Sequence, residues 1–144
     1  MRNAPLAVAA SLCAALLAGC GSSTLTDAQH TALATLGKQL PAPYRDGLIT
    51  TSAHRHGEDI VFVVSFPDAS VAMAKAKPDV VEALRRDEDE AITELCMEPA
   101  LAPVYAAGGG VRRRFVDANG AVFFEVELKA KHCPPIDAPQ ELTP

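Results

Sequence analysis

Residues 111–131 contain the pattern that most restricts the fold of this chain. Two segments, Val111 to Asp117 and Val122 to Lys131, flank the run Asp117-Ala118-Asn119-Gly120. An Asn-Gly pair between alternating apolar residues is a strong signal for a β-hairpin. In the second segment one face carries Val122, Phe124, Val126, Leu128 and Ala130, and the other carries Glu125, Glu127, Lys129 and Lys131. We therefore expect one face of this hairpin to pack on a core and the other to face water.

A second hairpin is predicted earlier in the chain. Leu48 to Ala53 is a candidate strand, and a turn centred on Gly57 separates it from Ile60 to Phe66. The latter segment is apolar at both alternating positions and rich in β-branched residues, which is typical of a strand buried on both faces. The two segments should pair with each other.

Helical patterns precede each hairpin. Thr26 to Gln29 forms a capping box with Thr26 as the N-cap, and the leucines that follow predict a helix from Asp27 to Leu40. Pro78 suits the first position of a second helix, which should stop at Glu98. Asp68 to Lys77 fits either a short helix or an irregular connection. The order αββαββ predicts an α+β fold with one antiparallel sheet of four to five strands and helices packed on one face.

The first twenty residues differ from the rest. Met1-Arg2-Asn3 carries one basic side chain, and Ala4 to Leu17 carries no charge. This apolar stretch is shorter than the roughly 20 residues that a membrane span needs. It has the length of the apolar core of a signal peptide, and it ends in Leu17-Ala18-Gly19-Cys20.

Leu17-Ala18-Gly19-Cys20 after such a segment resembles the lipobox of bacterial lipoproteins. The resemblance implies cleavage between Gly19 and Cys20, a diacylglyceryl group on the Cys20 thiol, and acylation of the new amino terminus. Several acyl chains give durable anchoring in a lipid bilayer. Gly21 is not the aspartate that the family associates with inner-membrane retention, so the resemblance implies the outer membrane of a Gram-negative host, facing the periplasm. The alternative is an ordinary secretory signal with a chance cysteine.

The four cysteines can then be assigned. The resemblance implies that Cys13 leaves with the signal peptide and that Cys20 is lipidated, so that Cys96 and Cys133 remain in an oxidising compartment. Two remaining cysteines in an exported domain predict one disulfide. A metal pair or a redox pair is the rival interpretation, but no Cys-x-x-Cys motif supports it. The predicted organisation is a signal peptide (1–19), a lipidated tether (20–25), one α+β domain (26–133) and a loose proline-rich tail (134–144).

Charged and histidine-containing segments give few functional signals. A net charge of −5 argues against non-specific nucleic-acid binding. Arg112, Arg113 and Arg114 could form a surface for anionic lipid or an acidic partner, or a solvated edge strand in which Arg113 leans over the apolar face. His54 and His56 could place two metal ligands on one side of a strand, but no third ligand is evident. We predict no catalytic residue, no metal and no cofactor, and a protein that is not an enzyme.

The mature domain resembles the α+β pilotins of type II secretion, which are small lipoproteins that escort or dock on envelope machines. The residues that carry this resemblance are Leu95-Cys96, Gly110, Phe115-Val116-Asp117, Asn119-Gly120, Val126, Leu128 and Cys133. It implies a binding or escort module for an envelope protein complex, with an exposed apolar groove for a peptide. The alternative is a lipoprotein that binds a small ligand or inhibits an enzyme, which a closed apolar pocket would favour.

Overall fold

The computed structural model describes residues 20–134, with side chains from Thr24 onward. The predicted signal peptide with Cys13, and the predicted tail beyond residue 134, lie outside the described residues. In chain order the helices and strands are α1 (Cys20–Leu36), β1 (Ala42–Pro43), β2 (Ile49–His56), β3 (Asp59–Phe66), α2 (Val71–Lys75), α3 (Pro78–Ala91), α4 (Ala102–Ala106), β4 (Gly110–Asp117) and β5 (Val122–Lys129). Short 3-10 segments, among them Ile92–Met97 and Ala130–His132, connect them.

The five strands form one sheet in the order β1-β2-β3-β4-β5. Both predicted hairpins are present, β2 with β3 and β4 with β5, and the α+β class is confirmed. The expectation of a purely antiparallel sheet is wrong at one place, because β3 and β4 run parallel. Parallel neighbours require a long crossover, which the helical connection through α2, α3 and α4 provides. The sheet is therefore mixed.

Helix α1 begins earlier than predicted. It starts at Cys20, so Thr26 lies inside the helix and the expected N-cap is wrong. The hydroxyl of Thr26 instead accepts a hydrogen bond from Arg55 Nη1 at 3.2 Å. Leu25, just before the predicted cap, packs against the core. This packing favours a helix that begins before the capping box. The backbone of the predicted tether is thus helical, and the helix ends at Leu36 rather than Leu40.

The core lies on the helix side of the sheet in two adjoining clusters. One lies under α1 and α4 and contains Ala32, Leu36, Ile60, Phe62, Leu101, Val104 and Val111. The other surrounds Phe115 and contains Leu48, Val64, Ile92, Phe115, Val126 and Leu128. The predicted disulfide between Cys96 and Cys133 is present and joins the 3-10 segment after α3 to the residue after the 3-10 turn that follows β5. Both cysteines pack against the second cluster, so the disulfide holds these two segments together beside it.

Candidate partner-binding groove

An apolar groove lies between α2 and α3 on one side and the ends of β3 and β5 on the other. We name it the α2–α3 groove, and its lining consists of Phe66, Ala69, Ser70, Met73, Ala74, Lys77, Val80, Val81, Leu84, Phe123 and Phe124. Large apolar side chains in it are exposed, with 60% of Met73, 53% of Val80 and 38% of Leu84 accessible. The cavity volume is about 150 Å³. This exposed apolar surface makes the groove a candidate site of interaction with another molecule.

A β-bulge supplies the floor of the groove. Phe115 pairs with Phe124 and Val116 pairs with Val122, so Phe123 is an extra residue in β5. The bulge breaks the strict alternation expected from the sequence. Val122, expected in the core, is 47% exposed, whereas Phe123 packs beside the Phe115 cluster. Two consecutive phenylalanines, Phe123 and Phe124, consequently line the groove.

Asp117 holds the start of α2 against the β4–β5 turn. Its carboxylate accepts hydrogen bonds from the backbone amides of Asn119 and Ala121, each at 2.9 Å, and from that of Val71 at 3.2 Å. These amides, that of Ala121 above all, lower the pKa of Asp117. The Ser70 hydroxyl caps the same helix by accepting from the Met73 amide at 3.2 Å. The uncertain segment 68–77 is therefore a short capped helix that forms one wall of the groove.

Helix α3 forms the other wall and carries most of the chain's net charge. It starts at Pro78 as predicted, and it holds six acidic residues against two arginines, a net formal charge of −4. Arg85 pairs with Glu82 at 2.7 Å and with Asp89 at 3.5 Å on its outer face. The helix that forms this wall is therefore acidic overall, whereas the charged side chain in the groove lining itself is Lys77.

Glu88 departs from the acidic run that surrounds it in the sequence. It is buried, it accepts a hydrogen bond from the Tyr44 hydroxyl at 2.7 Å, and it lies 3.6 Å from Arg45. Burial and this hydrogen bond raise the pKa of Tyr44 to about 12. The interactions fix the end of α3 to the segment between β1 and β2.

The three consecutive arginines lie on β4, which is paired on both sides and is not an edge strand. Arg113 leans over the apolar face as expected, with its guanidinium 4.8 Å from the centre of the Tyr44 ring and an ion pair to Glu94. On the opposite face Arg112 pairs with Asp59 at 2.7 Å and Arg114 with Glu125 at 2.6 Å. Each guanidinium already has a carboxylate partner, and the use of these arginines as a partner surface stays a prediction.

His54 and His56 lie on β2 opposite Val61 and Asp59 of β3. Within residues 20–134, no group of three or more histidine, cysteine, aspartate or glutamate side chains is placed to hold a metal ion. In the same part of the chain, no helix has both the length and the hydropathy to cross a membrane.

Sequence reasoning did not single out the groove residues. Met73 lies between two alanines and Val80 lies beside Val81, so the sequence did not mark either residue as part of an exposed wall. No sequence pattern predicts that the side chain of Phe123 faces the groove, because its direction depends on the register of β5 against β4.

Comparison with solved structures identifies similar folds. No protein-family model matches the sequence, and no curated protein sequence matches it significantly. The structure of a candidate secreted protein from Pseudomonas aeruginosa superposes with a TM-score of 0.60 at 12% identity, covering 81% of this chain and 99% of that one. The type 2 secretion system pilotin EpsS from Vibrio vulnificus superposes with a TM-score of 0.53 at 16% identity, covering 80% and 96% of the two chains. The type II secretion system pilotin AspS from Vibrio cholerae gives 0.51 at 16% identity, covering 80% and 100%. The pilotin-like resemblance is thus supported at the level of the fold.

Proposed function

We propose that this protein is a lipid-anchored, periplasm-facing escort or assembly factor that binds an amphipathic helix of an envelope protein in the α2–α3 groove. The observation that carries the proposal is the exposed apolar lining of this groove, with Met73, Val80 and Leu84 at its surface. A helix laid into such a groove buries side chains spaced three and four residues apart. The function involves no catalytic step.

The size of the groove favours a macromolecular partner over a small ligand. Its volume of about 150 Å³ is below the roughly 300–1,000 Å³ of small-molecule pockets. The net formal charge of −4 on α3 adds a charge preference, because a partner helix with basic residues on its polar face gains favourable electrostatics during association. The proposed occupant is therefore an amphipathic helix that is apolar on one face and basic on the other.

The solved structures support an envelope role. Two of the similar folds belong to type II secretion pilotins, and each is matched over nearly its full length. A shared fold does not by itself carry a function, so the proposal depends on the groove and not on the fold alone.

The anchor in this proposal is Cys20, lipidated after cleavage behind Gly19, in the outer membrane of a Gram-negative host. Its support is the sequence Leu17-Ala18-Gly19-Cys20 that follows a short uncharged segment. Intact mass of the membrane-extracted protein tests it directly. A mass equal to residues 20–144 plus acyl chains is expected, and a mass without acyl chains would remove the anchor.

The groove is tested by chemical crosslinking in intact cells, comparing the natural chain with Val80→Asp. We expect the natural chain to capture an envelope protein whose crosslinked peptide is amphipathic and basic, and we expect Val80→Asp to lose it. Val80 is more than half exposed, so the substitution leaves the core intact. Equal capture by both proteins would place the partner elsewhere, and tight binding of a purified small lipid with no protein captured would favour the ligand-binding alternative.

A further inference from the structure

We infer that the end of the sheet carrying the β2–β3 turn faces the lipid bilayer, so that the α2–α3 groove opens at the opposite end, away from the membrane. This inference rests on the lipid anchor of the proposed function. It adds the surface of the domain that contacts lipid headgroups and the direction in which the partner approaches.

Helix α1 is attached to this end of the sheet by polar contacts. The buried side chain of Gln29 donates from Nε2 to the carbonyl oxygen of Gly57, in the β2–β3 turn, at 3.2 Å. Arg55, at the end of β2, donates to Thr26 of α1. The first part of α1 is consequently fixed beside the turn.

Close packing around Gly109, just before the start of β4, also fixes the first part of α1 beside the β2–β3 turn. A Cβ atom at Gly109 would lie 2.6 Å from Cδ1 of Leu25 and 2.8 Å from the carbonyl oxygen of Glu58. Only glycine fits between α1, the β2–β3 turn and the start of β4. Leu25 is therefore a position at which α1 packs closely against the sheet.

The distance from the anchor to this end is short. Cys20 and Leu25 belong to one continuous helix, and five helical residues span about 8 Å. An extended six-residue tether would instead reach about 20 Å and would let the domain turn freely. A helical connection restricts the domain to orientations in which the Leu25 end is near the bilayer.

The groove lies at the far end of the same strands. β3 runs from Asp59, beside the turn, to Phe66 in the groove lining, which is about 23 Å at the rise of a β-strand. The distance exceeds the reach of the helical anchor segment. A partner bound in the groove therefore does not contact the lipid.

The charge distribution agrees with this orientation. Helix α3, with its net charge of −4, borders the groove, so anionic headgroups repel the groove end. At the turn end, the exposed side chains include Arg55, Lys131, His56 and His132 together with the carboxylates of Asp27 and Glu58, so acidic side chains do not dominate this end. The effect is confined to a Debye length of about 8 Å, where only the nearer end of the domain feels it.

The test uses the absence of tryptophan from the sequence. Glu58→Trp and Ala118→Trp place one fluorophore in the exposed β2–β3 turn or in the exposed β4–β5 turn, and neither residue lines the groove. Each variant is extracted with its native acyl chains, reconstituted into phosphatidylethanolamine–phosphatidylglycerol vesicles containing a dansyl-headgroup lipid, and collected by flotation. Energy transfer from tryptophan to the dansyl headgroups is then compared.

We expect energy transfer to be several-fold higher for Glu58→Trp than for Ala118→Trp. Equal transfer, or higher transfer for Ala118→Trp, in protein that floats with the vesicles would overturn the orientation and leave the anchor standing. Protein that does not float would overturn both the anchor and the orientation. The two failures are therefore distinguishable.

Discussion

The ring of Phe123 meets the ring of Phe66 edge-on, with the ring centres 5.2 Å apart, at the floor of the α2–α3 groove. The contact exists because Phe123 is the extra residue of the β5 bulge. The local chain geometry of one strand thus creates an apolar surface that the alternating pattern of that strand would not provide.

Replacing Phe123 with alanine should weaken partner binding more than it weakens folding. The ring is partly exposed, so its edge-on pair and packing should contribute about 1–2 kcal/mol to the free energy of unfolding. Urea denaturation measures this loss, and crosslinking yield in cells measures binding. A variant that keeps full crosslinking yield would show that the groove floor does not contact the partner.

A charge placed in the groove should strongly weaken binding, whereas the same charge one residue away should not. Met73→Asp puts a carboxylate into a mostly apolar lining, where desolvating it costs more than about 1.4 kcal/mol, a factor of about ten in affinity. Ala72→Asp is the matched control, since Ala72 is exposed on the same helix and does not line the groove. The affinity of each variant for the crosslinked partner peptide is the measurement, and similar affinities would contradict this role of the groove.

Loss of the disulfide should lower stability without changing the groove. The bond between Cys96 and Cys133 closes a loop with a sequence separation of 37 residues, for which the chain-entropy relation gives about 3–4 kcal/mol. Cys96→Ser, Cys133→Ser and the double variant should show nearly the same loss in urea denaturation, because each removes the same crosslink. A loss below about 1 kcal/mol would indicate that the unfolded chain gains little freedom when the bond is absent.

The hydrogen bonds to Asp117 should make part of the stability depend on acid pH. The folded-state pKa of Asp117 is lowered, so the stability it confers is complete above the unfolded pKa, near pH 4, and is lost as the pH falls through the folded pKa. Asp117→Asn should therefore be less stable than the natural chain at pH 7, with a difference that shrinks below about pH 4. Urea denaturation at both pH values tests this, and a difference independent of pH would contradict it.

The local features of the fold were predictable from the sequence. The hairpin around Asn119-Gly120, the start of α3 at Pro78 and the Cys96–Cys133 disulfide follow from turn chemistry, helix capping and the number of cysteines. Each of these depends on residues close in sequence or on the compartment.

The remaining features depend on contacts between distant segments. The parallel pairing of β3 with β4 is decided by the path of the chain through α2, α3 and α4, which leaves no periodic signal in either strand. The start of α1 depends on Leu25 meeting the core near Gly109. The groove arises where Phe123, Phe66 and α2 converge, so no single segment reveals it.

Site-specific photocrosslinking in intact cells tests the central claim most directly. A photoreactive amino acid replaces Met73 in the groove or Lys38, which is exposed and lies outside it. We predict that Met73 gives a crosslink to an amphipathic, basic helix of an envelope protein, and that Lys38 does not. Crosslinking of the same partner from Lys38 but not from Met73 would contradict the assignment of the α2–α3 groove as the binding site.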